Sequence, residues 1–236
     1  MLIECKSYSL ITMKRLVHSY LEWHFKDRYY YLLVSIVLFL IVPPFTYTFW
    51  FGTFSIYLLL SFVIISCVLI LFDNSRYSSY GIGLLVISLI ITWFTLNPVI
   101  KESRILESFR ALLLFILLSS TAVKVIRSIF KLKKINAKVL AASVGAYLLL
   151  GLAGAMLFGL VDLFYPESFN YNFHYGGGYD MMYYSFVTLS TLGYGDITPS
   201  TPQGQASAIL VSVTGQLYLA ILMATLVGKF LKDSDW

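Results

Sequence analysis

The chain has 236 residues, 58% of them hydrophobic and 12% charged, with a net charge of +5 and a mean hydropathy of +0.79. That balance excludes an ordinary soluble domain and a nucleic-acid-binding module, and it describes an all-α integral membrane protein. The two cysteines, Cys5 near the start and Cys67 inside an apolar run, do not suggest a disulfide framework.

Residues 1–28 have no apolar core behind a basic start and no small-residue cleavage site, so a removable signal peptide is not expected. Leu10, Ile11, Leu16, Val17, Tyr20, Leu21 and Trp23 alternate with Lys14, Arg15, His18 and Lys26 at roughly helical spacing. This suits a cytoplasmic segment lying on an anionic inner leaflet. Uncharged runs then fall at 29–72, 77–100, 111–123, 139–161 and 197–228. A bilayer core needs about 20 apolar residues per helix. The first run therefore holds two helices, with a turn at Pro43-Pro44, and the third extends past Arg110 and Lys124, whose long stems reach the interfaces. Six spans result, near 25–42, 50–72, 78–97, 105–128, 138–163 and 203–230, with a re-entrant pore helix at 179–190.

Charge sets the orientation. With the N-terminus cytoplasmic, fourteen Lys and Arg lie on that side and three (Lys101, Arg104 and Arg110) on the other. A multi-pass protein of the plasma (inner) membrane with both termini cytoplasmic is expected. The predicted domains are the interfacial segment 1–28, a four-helix membrane domain at 29–123 and a basic amphipathic linker at 124–138. A pore domain at 139–230 and a short cytoplasmic tail at 231–236 follow.

A voltage sensor needs basic residues at every third position within the membrane. In the fourth span that series reads Arg104, Glu107, Arg110, Leu113, Ile116, Ser119. Its charges stop at the outer end, so strong voltage gating is not expected. The Lys124–Lys138 linker mixes six basic residues with Val125, Ile126, Ile129, Phe130, Leu132 and Ile135, and membrane lipids, anionic ones included, are its natural partners. Gly145, Gly151, Gly154 and Gly159 in the fifth helix allow close helix approach. The loop 165–179 reads as a flexible extracellular turret. With Asp162, Glu167, Asp180 and Asp196 it forms an outer mouth that concentrates cations.

The most informative stretch is Thr191-Leu192-Gly193-Tyr194-Gly195-Asp196. Gly193 and Gly195 take positive φ without steric cost, which lets successive carbonyls face one side. A column of carbonyls is a cation site. The oxygens of Thr191, Leu192, Gly193 and Tyr194, with the Thr191 hydroxyl, would replace the hydration shell of a dehydrated K⁺. Ser185 to Pro199, read as SFVTLSTLGYGDITP, resembles the pore helix and selectivity filter of potassium channels, and Gly215-Gln216-Leu217-Tyr218-Leu219 resembles the inner helix of prokaryotic two-helix-pore channels. The likeness covers about residues 139–231.

The resemblance implies a K⁺-selective channel of the six-helix form without a voltage-sensing arginine series, with K⁺ as permeant ion and no cofactor. It places Gly195, Asp196, Thr188, Tyr183 and Tyr184 in filter support and the outer mouth. Val187 stands where some members carry a glutamate, so a hydroxyl of Tyr183 or Tyr184 is expected to bond Asp196 instead. Gly215 falls at the family's hinge, and Leu219, Met223 and Val227, at i+4 spacing below it, are candidates for a cytoplasmic constriction.

One filter per chain calls for three further copies in a C4 homotetramer. The short C-terminus leads us to expect no cytoplasmic regulatory domain. Tyr194 argues against a non-selective cation channel, and the single filter against a transporter with four repeats in one chain. The alternative reading is a membrane sensor or accessory subunit with a non-conducting pore. No nucleophile, base and oxyanion-donor cluster suggests an enzyme.

Overall fold

The computed structural model describes residues 27–46, 49, 51–71, 78–95, 103–131, 137–171 and 178–234. The interfacial segment expected at 1–28 lies almost wholly outside these residues, as do 172–177 of the turret and 132–136 of the linker. The helices are α1 Arg28–Thr46, α2 Gly52–Leu71, α3 Ser78–Phe94, α4 Arg104–Lys131, α5 Ala137–Phe164, α6 Tyr179–Leu189 and α7 Pro202–Ser234. Two three-residue strands, β1 Phe169–Tyr171 and β2 Ile197–Pro199, complete the described elements.

Five helices (α1, α2, α4, α5 and α7) are long and apolar enough to cross a membrane. The apolar α3 has 17 residues, about 26 Å of helix against a hydrocarbon core of about 30 Å. α1 continues to Thr46 rather than stopping before Pro43-Pro44. Prolines remove N–H donors near a helix end, and the Thr46 hydroxyl donates to the carbonyls of Val42 and Pro43, both at 3.3 Å.

α5 is the central helix, lying against α1, α4, α6 and α7. Its small residues make this possible. A Cβ on Gly151 would stand 2.3 Å from the Phe186 ring, and one on Gly154 would stand 2.4 Å from Ser185 Oγ. Without those atoms α6 sinks onto α5, and Ser185 Oγ donates to the Gly151 carbonyl at 2.7 Å. Gly145 meets Leu32 of α1, whereas Gly159 has open space around it.

α4 continues past Lys124, as the expected span 105–128 does, and runs unbroken to Lys131, into the stretch read as the linker. The buried stripe Leu114, Leu117, Leu118, Thr121, Val125 and Ile129 keeps helical period across that boundary and faces the core throughout. Only the exposed face, with Arg127 and Lys131, turns basic.

Several polar side chains within the described spans are paired, as an apolar surrounding favours. Ser35 Oγ donates to Ser66 Oγ at 3.3 Å, Trp93 Nε1 to Ser61 Oγ at 3.0 Å, and Tyr218 Oη to the Ser143 carbonyl at 2.6 Å. At the basic end of the bundle, Lys124 Nζ donates to the Leu71 carbonyl at 2.7 Å and Lys138 pairs with Asp27 at 3.1 Å.

The sheet is the departure from an all-α expectation. β1 and β2 pair antiparallel with Tyr171 opposite Ile197, Asn170 opposite Thr198 and Phe169 opposite Pro199. The described start of the turret is thereby joined to the chain that leaves Asp196.

Candidate functional site

The stretch from Thr191 to Asp196 lies between the C-terminus of α6 and β2. φ is +61° at Thr191, +57° at Gly193 and +80° at Gly195, while Leu192 and Tyr194 between them are not in the positive region. Alternating handedness of this kind turns every second peptide over, a backbone that allows the carbonyls of successive residues to align on one side instead of alternating as in a strand. The glycines were legible in the sequence. Thr191 was not, because a β-branched residue at positive φ is a genuine outlier that costs about 1–3 kcal/mol.

What holds that conformation is the end of α6. Leu192 and Gly193 both donate their N–H groups to the Val187 carbonyl, at 3.0 and 3.3 Å, and the Thr191 N–H donates to the Thr188 carbonyl at 3.1 Å. The last turn of a helix leaves carbonyls without intrahelical partners, and here residues 191–193 supply the donors. Val187 acts through its backbone, a role its side chain gives no hint of. Thr188 offers its carbonyl to Thr191.

The other end is fixed through Asp196. Tyr183 Oη donates to Asp196 Oδ2 at 2.6 Å, and the Ile197 N–H donates to Oδ1 at 3.1 Å. A bond to an ionised carboxylate is worth about 1.5–3 kcal/mol. The Tyr183 ring also stacks on Tyr194, with centroids 6.5 Å apart and planes within 6°. Tyr184 has a different place. It is buried between Phe158 of α5 and Phe169 of β1, at 4.7 and 5.5 Å between centroids, and does not reach Asp196.

Thr191, Leu192, Gly193, Tyr194 and Gly195 are all exposed in the single chain. Leu192 and Tyr194 form one side of an open apolar recess of about 380 Å³ that also includes Leu40, Met182 and Phe186.

Gly215 lies against the same helix end. A Cβ there would come within 2.3 Å of the Leu189 carbonyl and 2.9 Å of its Cδ1, so α7 passes α6 at a distance only glycine allows. α7 is an unbroken helix through this point. Leu219, Met223 and Val227 follow on one stripe of α7 and are exposed.

A further group of residues was not anticipated. Ser168 is fully buried and joins three elements. Its Oγ donates to the Tyr165 carbonyl at the end of α5, its carbonyl accepts the Ser200 N–H at 2.9 Å, and its Oγ accepts Thr201 Oγ1 at 3.0 Å. Thr201 is in turn the cap of α7, accepting the Gly204 N–H at 3.2 Å. Thr201-Pro202 before a helix is a readable start signal. Ser168 leaves no such mark.

Residues 144–232 match the family model described as "Ion channel". The chain is 35% identical over 88 residues to a voltage-gated potassium channel of Aeropyrum pernix, a stretch covering 37% of this chain and 28% of that protein. It is 36% identical over 72 residues to the putative potassium channel protein YugO of Bacillus subtilis, covering 30% and 20%. The human potassium voltage-gated channel subfamily A member 10 is 33% identical over 78 residues, covering 33% and 14%. The chain thus spans less than a third of the length of each of these relatives, and no solved structure matches it. The segment that carries the alternating backbone, its helical support and most of α7 is the one that matches the ion-channel family model and is similar to prokaryotic potassium channels.

Proposed function

We propose that the chain is one subunit of a K⁺-selective channel that conducts passively through a C4 homotetrameric pore. The observation that carries this reading is the alternation of φ along Thr191, Gly193 and Gly195. It gives one chain a column of oxygens on one side, and only a ring of such columns encloses an ion. The exposed filter face and the recess behind Leu192 and Tyr194 are surfaces that neighbouring copies would close.

In this reading α1 to α5 and α7 are the six spans, and α6 is the re-entrant pore helix. The basic ends, with Lys124, Lys138 and Lys229, face the cytoplasm of the plasma (inner) membrane and its anionic lipids. The carbonyls of Thr191, Leu192, Gly193 and Tyr194 bind K⁺, Gly195 and Asp196 close the outer mouth, and Thr188, Tyr183 and Tyr184 support it. Gly215 is the hinge, and Leu219, Met223 and Val227 line the inner constriction.

Strong voltage gating is absent from this reading because α4 carries no charged residue between Arg110 and Lys124. Arg110 pairs with Glu107 of the preceding turn at 3.8 Å, and beyond it the core face of α4 is apolar apart from Thr121. Two arginines at the outer end, with the next basic residues only at the opposite end of the span, carry too little charge through the field for steep gating.

The test is K⁺ flux, with Na⁺ competition, in liposomes containing the purified chain, and Gly193→Asp as control. K⁺-preferring flux that Ba²⁺ blocks and the control abolishes is the expected result. Absence of such flux at every voltage, pH and lipid composition tried would favour a sensor or accessory subunit.

A further inference from the structure

The filter is usually thought of as held from the pore-helix side, and Val187, Thr188 and Tyr183 supply that here. The chain leaving the filter has a second attachment. Beyond Asp196 the backbone runs directly into β2, whose partner β1 belongs to the turret. β1 is itself anchored by packing. Phe169 is buried, meets Phe158 of α5 and Tyr184 of α6 edge-on, with centroids 5.5 Å apart in each case, and so ties the strand to both helices.

At the end of this two-stranded clip stands Ser168. Its three hydrogen bonds reach the last turn of α5, the residue after β2, and the cap of α7. Ser200 Oγ adds a bond to the Glu167 carbonyl. Glu167 is the other non-glycine residue described at positive φ, +65°, which turns the chain sharply into the node. Packing has no slack there: a Cβ on Gly204 would lie 2.6 Å from the Ser168 carbonyl. Three elements that must keep their relative positions for a ring of carbonyls to keep its diameter therefore converge on one buried hydroxyl and one carbonyl.

We propose that Ser168, with Ser200 and Thr201, is a positioning node for the filter, holding its outer end through the β1–β2 clip independently of the Tyr183–Asp196 bond. The inference rests on the channel reading above and names residues outside the signature stretch that set how long the filter stays conducting. Losing the node frees β2 to move, and Gly195 and Asp196 move with it. The conducting geometry then collapses most readily when few K⁺ ions occupy the filter to hold it open.

The experiment uses the full chain in planar bilayers, recording the decay of K⁺ current in low and high external K⁺ together with the K⁺/Na⁺ permeability ratio. Ser168→Ala should speed the decay about five- to tenfold in low K⁺, the scale expected for one lost buried hydrogen bond, and high K⁺ should restore it. Thr201→Val should do the same and Thr201→Ser should not, a pair that keeps the test intact if Ser168→Ala fails to assemble. A purely structural defect would lower the number of active channels without a K⁺-dependent decay, and that result overturns the proposal. Wild-type kinetics and selectivity in both Ser168→Ala and Thr201→Val, on a wild type that conducts, overturn this inference alone. A wild type without K⁺-selective flux overturns the channel reading and this inference with it.

Discussion

Lys229 Nζ, near the end of α7, donates to the backbone carbonyl of Ile129 at 2.8 Å and to that of Phe130 at 3.4 Å, in the last turn of α4. A cation at a helix C-terminus satisfies carbonyls that have no intrahelical partner and complements the negative end of the dipole, for about 0.3–1 kcal/mol when exposed and up to about 2 when partly buried. Lys124 does the same for the end of α2 through Leu71. The two contacts form a relay from α2 to α4 to α7. Replacing Lys229 with Met should shift the balance of open and closed channels up to about thirtyfold, the ratio that 2 kcal/mol represents, while Lys229→Arg shifts it less. Single-channel open probability measures this, and equal values for Met and wild type would show that α7 moves independently of α4.

Tyr183 and Tyr184 stand side by side in sequence and have separate partners. Tyr183→Phe removes the 2.6 Å bond to Asp196 and should shorten filter open time by at least about tenfold, given about 1.5–3 kcal/mol for a hydrogen bond to a charged group. Tyr184→Phe leaves that bond in place, and its ring continues to fill the space between Phe158 and Phe169. Current decay in bilayers should therefore separate the two variants.

Gly215→Ala should destabilise the assembled protein through overpacking, by about 1–3 kcal/mol, because the new methyl meets the rigid Leu189 carbonyl. Gly151→Ala meets the Phe186 ring, a side chain with more freedom to turn. A lower melting temperature for Gly215→Ala than for Gly159→Ala, where space is open, is the expected order.

Burial pushes the Tyr171 phenol up from its ordinary value near 10.0, and the charges of Asp162 and Asp180 and a hydrogen bond with Asp162 push it the same way. The neutral form is therefore favoured in the fold. Its contribution is complete below about pH 10 and is lost as pH rises beyond that. Melting temperature above pH 10 should fall more steeply for wild type than for Tyr171→Phe, and parallel curves would remove Tyr171 from the account.

The helices were legible because uncharged runs of sufficient length have few alternatives in a chain this apolar. Their ends were less so: the fourth span was expected at 105–128, and α4 runs on to Lys131 because its buried face keeps period through Ile129 while its other face turns basic. Gly193, Gly195 and Asp196 announced themselves, since glycine spacing and a terminal carboxylate carry their roles in their side chains. The part played by the Val187 carbonyl and the positive φ of Thr191 did not, because both are properties of the backbone. Ser168 and the β1–β2 clip depend on partners about thirty residues away, which no local pattern encodes.

α5 has 56% of its most apolar window buried within one chain, whereas α7 has 17%. A newly inserted subunit therefore completes most of the packing around α5 by itself, while α7 remains coated by lipid until other copies displace it. Maturation in the tetramer proposed above would divide into two events, the second covering the α7 face along with the much shorter filter stretch. A subunit with a ruined filter and an intact α7 would keep the α7 face and join healthy ones. One such copy in four interrupts the ring, so in a cell making both kinds of chain the damaged allele would be dominant.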